Sequence, residues 1–320
     1  MPRSILTPVV RRRRKRTGRL ALLATLVAAA GAATPFLLHH PARPHAAAAA
    51  PARVVHAAEP AQPAALLVTP PTSARQPNLH TAARAAIAVD AGSGRVLWAL
   101  RPHRRLPIAS TTKIMTALLA LRSVRPKLVV TVNPSATRVP LVREGLRPRE
   151  RVRAWKLLDG LLVYSGNDDA LALAIATAGS RRAFVERMND EAQTLGLRDT
   201  RFSTPSGVID AGNFSSAWDL AALTRVALRN ARFRSIVRTR IVRVPWSAPT
   251  YEKVYVNKNA LLGRYRGADG VKTGWTSIAG HCLVASATRH GRTIIAVVLH
   301  DGNVYADARR LLDLGFATRQ

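Results

Sequence analysis

The chain has 320 residues, 48% of them hydrophobic, and a formal net charge of +31. This apolar fraction excludes a wholly disordered chain, and the length predicts one or two domains with a sizeable core. The single cysteine, Cys282, excludes an internal disulfide and a lipid-modified cysteine near the N-terminus. The charge favours anionic surroundings such as acidic wall polymers, phospholipid headgroups or nucleic acid, although an arginine-rich source composition explains it equally well.

The N-terminus has the pattern of an export signal. A basic run at residues 11–16 precedes an uncharged apolar stretch at 20–38. The basic side of such a segment stays in the cytoplasm. The stretch is longer than the core of a typical cleavable signal and approaches the length of a spanning helix. Residues 1–38 are therefore predicted to be a basic tail followed by a signal peptide or a membrane anchor. The rest of the chain is predicted to be extracytoplasmic, either anchored or secreted.

An alanine- and proline-rich segment at 39–80 is predicted to be an extended, disordered spacer before a folded domain at 81–320. The export pattern and the lack of a recognisable module argue against a nucleic-acid partner. The sequence also suggests no metal and no organic cofactor. Histidines in the spacer are too irregularly spaced to favour a metal site: His39, His40, His45 and His56.

The folded region begins and ends with predicted strands. Residues 85–89 and 95–100 flank a glycine-containing turn and predict a hairpin. Near the C-terminus, extended segments are predicted at 238–244, 251–257, 270–276, 280–288 and 293–300, before a closing helix at 304–316.

The middle of the domain is predicted to be helical. A helical period runs over about 134–234, and separate helices are predicted at 110–121, 155–164, 168–178, 181–195 and 216–230. Strands at both ends of a helical middle predict a mixed α/β (α+β) fold. Its antiparallel sheet is built from both termini, flanked by helices, with an inserted all-helical lobe.

Ser110 and Lys113 are three residues apart at the start of a predicted helix, so their side chains share a face. A serine hydroxyl needs a base to become a nucleophile, and a desolvated lysine can be that base. Only seven of the 49 cationic residues are lysines, and arginine cannot take this role because it stays charged. Taken alone, the spacing favours a capping serine followed by a surface lysine.

Two further motifs carry candidate site residues. Ser165 and Asn167 lie in a tight connection between two predicted helices, which also suits a capping turn. Lys272, Thr273 and Gly274 lie on a late strand, where an ordinary edge-strand lysine is the alternative. The ammonium and hydroxyl can hold a substrate carboxylate, and a glycine permits close approach of another backbone. The N–H of the next residue, Trp275, can act as an oxyanion donor.

Together, the three motifs in this order resemble those of penicillin-binding proteins and serine β-lactamases. Residues 108–121, 161–170, 184–202 and 265–287 are similar to low-molecular-weight D-alanyl-D-alanine carboxypeptidases, and the resemblance covers about 85–316. It implies that the enzyme removes the terminal D-alanine from peptidoglycan stem peptides and is acylated by β-lactams.

By the same resemblance, Ser110 forms the acyl-enzyme, Lys113 is its base and Ser165 is the third catalytic residue. Asn167 is expected to contact substrate and Lys272 to hold the terminal carboxylate. Asp169 stands where the family usually has alanine, and Arg149 where glycine is common; neither is expected to touch the chemistry directly.

Three alternatives remain open from the sequence. A β-lactamase of the same fold needs a glutamate that activates the deacylating water, and no convincing candidate follows Ser165. An endopeptidase that cuts cross-links would use the same motifs. A catalytically silent basic protein that binds the wall would not need Ser110 at all.

Overall fold

The computed structural model describes residues 77–208 and 212–318. The predicted N-terminal tail, the apolar segment and all but the last residues of the spacer lie outside these ranges. The strands are β1 (Ala85–Asp90), β2 (Val96–Leu100), β3 (Leu106–Pro107), β4 (Val129–Thr131), β5 (Arg151–Arg153), β6 (Phe214–Ser215), β7 (Ile241–Pro245), β8 (Glu252–Val256), β9 (Ala268–Thr276), β10 (Gly280–Arg289) and β11 (Arg292–Asp301). The helices are α1 (Lys113–Ser123), α2 (Ala154–Asp159), α3 (Asn167–Ala178), α4 (Arg181–Thr194), α5 (Ala217–Ala227), α6 (Ala231–Val237) and α7 (Val304–Ala317).

A five-stranded antiparallel sheet in the order β2-β1-β11-β10-β9 forms the centre of the domain. Strand β11, from the C-terminal part of the chain, pairs with β1 from the N-terminal part. The predicted sheet built from both ends is therefore confirmed, and so is the mixed α/β class. The predicted strands at 270–276, 280–288 and 293–300 correspond to β9, β10 and β11 within two residues at each end.

Successive side chains of a strand point to opposite sides of a sheet, and here both sides are covered by apolar clusters. In β1, Ile87 and Val89 belong to the larger apolar cluster shared with α1 and α5. Ala86 and Ala88 belong to a second cluster with α7. The small alanines on this side leave room for α7 to lie against the sheet. Two-sided burial explains why these strands read as continuous apolar runs rather than as alternating ones.

The inserted lobe surrounds α1, whose first eight residues are all buried. Helix α1 contacts α3, α4, α5 and α6. The prediction of a purely helical period over 134–234 was too broad, because β5 lies inside that range and pairs with β4. These strands are three residues long, too short to produce a visible alternation.

The short helix α6 follows Asn230, whose side chain accepts from the amides of Arg232 and Phe233.

No helix among the described residues is both long enough and apolar enough to cross a membrane. The predicted choice between a cleaved signal and a retained anchor concerns residues outside the described ranges.

Two isoleucines on strands test how stability depends on the central sheet. Ile295 on β11 is fully buried, whereas Ile241 on β7 is 54% exposed. Ile295→Ala should lower the free energy of unfolding by about 2–5 kcal/mol because it leaves a cavity in the core. Ile241→Ala should change it by less than about 0.5 kcal/mol. Urea titrations followed by circular dichroism measure both, and equal losses would contradict the assigned core.

Candidate active site

Ser110 lies on a tight turn between β3 and α1. It belongs to a short 3-10 helix, Ala109–Thr112, rather than to the first turn of α1 as predicted. Ala109 has a positive φ of 46°, an uncommon backbone conformation for a residue with a side chain. Thr111 ties the turn together, since its amide and its hydroxyl both donate to the carbonyl of Ile108. The turn thereby directs Ser110 towards a cavity.

Lys113 is completely buried and has three close partners. Its Nζ lies 2.8 Å from Ser110 Oγ and 2.8 Å from Asn167 Oδ1, and it also lies 3.2 Å from the carbonyl oxygen of Ser206. The second and third partners are carbonyl oxygens, which only accept hydrogen bonds. A neutral amine has two N–H groups and one lone pair. It can therefore donate to both carbonyls and accept the proton of the Ser110 hydroxyl.

The surroundings favour this neutral form. Burial, and next the charge of Lys272, hold the pKa of Lys113 well below its ordinary value of 10.5. Lys258 acts in the same direction, while Asp169 and Asp168 oppose the shift. Desolvation disfavours the charged form of a lysine, so the burial of α1 prepares the amine to act as a base.

Ser165 is placed by an interruption of regular helix. After α2 the chain continues as one π-helical segment, Gly160–Tyr164, and then Ser165 takes a left-handed conformation with φ 74°. π-Helical turns are rare and often found at functional sites. Ser165 is 4% exposed and shares a cavity with Ser110. The predicted turn between two helices is present, although the segment that leads into it, Gly160–Tyr164, is π-helical rather than α-helical.

Asn167 is engaged at both ends of its amide. Its Oδ1 faces Lys113, and its Nδ2 donates to the carbonyl of Pro140 at 2.9 Å. Its backbone N–H donates to the carbonyl of Val142. Asn167 does not line the cavity beside Ser110. In this structure the side chain orients Lys113, and contact with substrate remains a prediction.

The strand β9 brings the third motif to Ser110. A Cβ atom placed on Gly274 would lie 2.9 Å from the carbonyl oxygen of Ile108 and 3.0 Å from the amide nitrogen of Ser110. This agrees with the predicted close backbone approach at this glycine. Thr273 and Trp275 line the cavity, and the Trp275 side chain is 60% exposed.

Lys272 is buried, and its Nζ donates to the carbonyl of Thr273 at 3.1 Å. Burial, together with the charge of Lys258, lowers the pKa of Lys272 to about 7. Close to neutral pH this residue therefore exchanges between cation and neutral amine. A bound carboxylate would favour the cation, because an opposite charge stabilises it.

The three motifs converge on one cavity of about 260 Å³ between the sheet and the lobe. Its lining residues are Ser110, Val142, Ser165, Lys258, Thr273, Gly274, Trp275, His281, Cys282, Val304 and Tyr305. Lys258, His281 and Tyr305 were not singled out from the sequence. Lys258 carried one available signal, since it is one of only seven lysines. Cys282 is buried, and burial raises the pKa of its thiol to about 11.

Asp169 is fully buried in the first turn of α3, and it acts on Lys113 only through its charge. Both of its carboxyl oxygens are buried without a hydrogen-bond partner among the described residues. Gly160 and Gly166 leave the space that the carboxyl occupies, since a Cβ on either would overlap it. Burial, and next the charge of Glu144, hold the pKa of Asp169 well above its usual range.

Arg149 has a positive φ of 62°, which explains why a glycine suits that position. Among residues 77–208 and 212–318, no cluster of three His, Cys, Asp or Glu side chains is placed to hold a metal ion. His39, His40, His45 and His56 lie outside these ranges.

The chain matches a family model described as D-alanyl-D-alanine carboxypeptidase over residues 71–303. It is 32% identical over 272 residues to a D-alanyl-D-alanine carboxypeptidase of Streptomyces sp. strain K15, covering 78% of this chain and 91% of that protein. It is 36% identical over 239 residues to DacB2 of Mycobacterium tuberculosis, covering 72% and 81%. Identity to DacF of Bacillus subtilis is 32% over 253 residues, and the match spans only 64% of that longer protein.

Solved structures agree with these sequence matches. A D-alanyl-D-alanine carboxypeptidase from Mycobacterium tuberculosis superposes with a TM-score of 0.73 at 33% identity, covering 78% of this chain and 97% of that one. A serine-to-alanine variant of the Streptomyces K15 DD-transpeptidase gives 0.72 at 32%, covering 75% and 100%. The fold is thus that of the serine DD-peptidases. The chain belongs to the D-alanyl-D-alanine carboxypeptidase family, and the resemblance drawn from the motifs is confirmed.

Gly274→Ala should damage the site without removing any reactive group. The added methyl group would push β9 away from the Ser110 turn, and displacement of a reacting group by about 1 Å can cost about 10²-fold in rate. We expect the second-order rate of acylation by benzylpenicillin to fall by about that factor. Gly302→Ala is the matched control, because nothing lies within 4 Å of the position where its Cβ would be. Stopped-flow acylation rates that are equal for the two variants would contradict the close approach.

Proposed function

We propose that this protein is a serine D-alanyl-D-alanine carboxypeptidase that removes the terminal D-alanine from peptidoglycan stem peptides. The observation that carries the proposal is the contact of the buried Lys113 amine with Ser110 Oγ, in a cavity that also contains Ser165 and Thr273. The family membership supports it. A catalytically silent wall-binding protein would have no need for a buried lysine beside a serine.

In the proposed acylation, the Ser110 hydroxyl gives its proton to the neutral Lys113 amine while Oγ bonds to the carbonyl carbon of the penultimate D-alanine. The carbonyl oxygen becomes an oxyanion, for which we propose the backbone N–H groups of Ser110 and Trp275 as donors. The C–N bond then breaks, and the leaving D-alanine amine receives a proton from Lys113 through Ser165. Water attacks the resulting ester, and the same groups return Ser110 to its free form.

Asn167 and the carbonyl of Ser206 orient the base in this scheme. They occupy the two N–H groups of the amine, so its lone pair faces Ser110. Whether Asn167 also contacts the substrate peptide is part of the proposal. Lys272 and Thr273 hold the terminal carboxylate, and the charge of that carboxylate raises the pKa of Lys272 when the complex forms.

The proposed partners and location follow from this chemistry. Peptidoglycan lies outside the cytoplasm, and the predicted export segment would bring the domain there, either anchored or secreted. β-Lactams are proposed as covalent inhibitors that acylate Ser110. Anionic wall polymers or membrane surfaces are proposed as further contacts of the basic surface, and no nucleic-acid partner is proposed.

An endopeptidase reaction on cross-linked peptides is the second candidate. The chain is 32% identical over 247 residues to a D-alanyl-D-alanine endopeptidase of Escherichia coli. Mass spectrometry of muropeptides after digestion separates the two activities. Release of free D-alanine from monomeric pentapeptides supports the carboxypeptidase activity. Loss of cross-linked dimers without release of free D-alanine would instead support the endopeptidase activity.

Ser110→Ala tests the nucleophile. We expect hydrolysis to fall on the order of 10⁴–10⁶-fold, and covalent labelling by fluorescent penicillin to disappear, because no group remains to form the ester. Ser235→Ala, at an exposed position of α6, is the matched control. Intact mass spectrometry with peptide mapping identifies the labelled residue. An adduct on any residue other than Ser110 would refute the assignment.

The pH dependence of binding tests Lys272. In the free site its pKa is about 7, so the cation is lost as the pH rises through this value. Affinity for a peptide ending in D-alanyl-D-alanine should therefore fall towards about tenfold per pH unit above about pH 7. Lys272→Arg keeps its charge and should abolish this fall. Calorimetric binding to the Ser110→Ala protein from about pH 6 to about pH 9 measures the affinity without turnover. A flat profile with Lys272 present would exclude it as the carboxylate-binding group.

A further inference from the structure

A second cavity, of about 380 Å³, lies at the opposite end of the central sheet from Ser110. It is formed by the turn after β1, the turn between β10 and β11, the start of β9 and the ends of α5 and α6. On β10, Cys282 lines the catalytic cavity and Thr288 lines this one. Six residues of extended strand separate them by about 20 Å, so the two cavities are distinct.

Arginines dominate the lining of this second cavity. The charged residues around it are Asp90, Arg225, Arg229, Arg234, Arg238, Asp269 and Arg292. The cavity therefore has a surplus of three positive charges. An arginine-rich composition alone would scatter cations over the surface and does not account for five guanidinium groups around one concave site.

The two aspartates already have hydrogen-bond partners. Asp90 accepts from amides of the turn after β1 and from Arg292 Nε at 2.7 Å. These partners hold the pKa of the Asp90 carboxyl below its ordinary value, although burial alone would raise it. Asp269 accepts from the hydroxyls of Ser286 and Thr288. Neither carboxylate accepts a hydrogen bond from Arg229, Arg234 or Arg238 among the described residues.

Two of the arginines donate to backbone carbonyls. Arg225, which is 4% exposed, donates to the carbonyls of Ala91 and Gly92 at 2.9 Å each. Arg234 donates through Nη1 to the carbonyl of Leu228 at 2.6 Å. Such bonds fix the direction of a guanidinium group but do not cancel its charge.

The remaining donors are available to a ligand. The guanidinium groups of Arg229 and Arg238 are exposed and have no hydrogen-bond or ion-pair partner among residues 77–208 and 212–318. Nη2 of Arg292 is buried without an acceptor in the same ranges. Exposed arginines at the rim of a cavity whose wall already holds cations form a site for an anion.

We propose that this cavity binds the phosphate group of a phosphate ester, with Arg229 and Arg238 as its principal contacts. The planar guanidinium groups of arginine donate paired hydrogen bonds to phosphate oxygens. A phosphate group also carries more negative charge than a carboxylate, and so it better balances the three surplus positive charges. The cavity, of about 380 Å³, is larger than a phosphate ion and leaves room for a glycerol or sugar substituent. Glycerol phosphate is common to anionic wall polymers and to phospholipid headgroups. The proposal does not depend on the catalytic assignment.

Calorimetric titration of the full chain with glycerol 3-phosphate, and with glycerol as the uncharged reference, tests the site. Arg229→Gln/Arg238→Gln should weaken saturable binding of glycerol 3-phosphate by about tenfold or more, since hydrogen bonds to charged groups are lost. Arg151→Gln/Arg309→Gln is the matched control, because it removes the same charge at exposed positions outside the cavity. Thermal unfolding by circular dichroism checks that both variants are folded.

The result expected is one-to-one binding that the control variant retains. No binding of glycerol 3-phosphate at low salt, or an equal loss in the two variants, would overturn the proposal, since the latter indicates only general attraction. Sedimentation with phosphatidylglycerol vesicles and with poly(glycerol phosphate) identifies the source of the phosphate. If the protein binds the vesicles or the polymer, and only Arg229→Gln/Arg238→Gln loses this binding, the site is supported. If Arg229→Gln/Arg238→Gln still binds both the vesicles and the polymer, the site is contradicted.

Discussion

The buried amine of Lys113 is the interaction on which the rest of the site depends. Each of its partners comes from a different part of the chain: the turn before α1, the start of α3, and the loop after α4. A charged lysine in this position would bury a cation beside other lysines, which is costly without a carboxylate partner. A neutral amine satisfies all three contacts, and so the requirements of folding and of catalysis agree at this residue.

The site also brings three lysines together, and the charges of two of them affect the protonation of a neighbour. Lys272 and Lys258 lower the pKa of Lys113, and Lys258 lowers that of Lys272. In the free protein, burial first and this repulsion second favour the neutral amines. In the proposed complex, the substrate carboxylate lies beside Lys272 and favours its charged form, while Lys113 stays a base through its burial. The proposal therefore assigns recognition to Lys272 and proton transfer to Lys113.

The architecture and the positions of the motifs could be predicted from sequence because each rests on a local pattern. Continuous apolar runs bounded by turn residues predicted β1, β10 and β11, and the three motifs indicated Ser110, Lys113 and Lys272 as candidate site residues. Features that depend on tertiary contacts were not predictable. The carbonyl of Ser206 has no side-chain signature, and the π-helical turn before Ser165 has an ordinary helical composition. The raised pKa of Asp169 follows from its burial beside two glycines.

The protonation state of Lys113 is the most direct test of this account. Because the chain contains only seven lysines, lysine labelled with ¹³C at Cε gives a spectrum in which each amine can be assigned by single substitutions. The titration of Lys113 in the free enzyme should occur well below the ordinary lysine value of 10.5. If Lys113 instead titrates near the ordinary lysine value, it cannot be the neutral base, and the proposed mechanism is wrong.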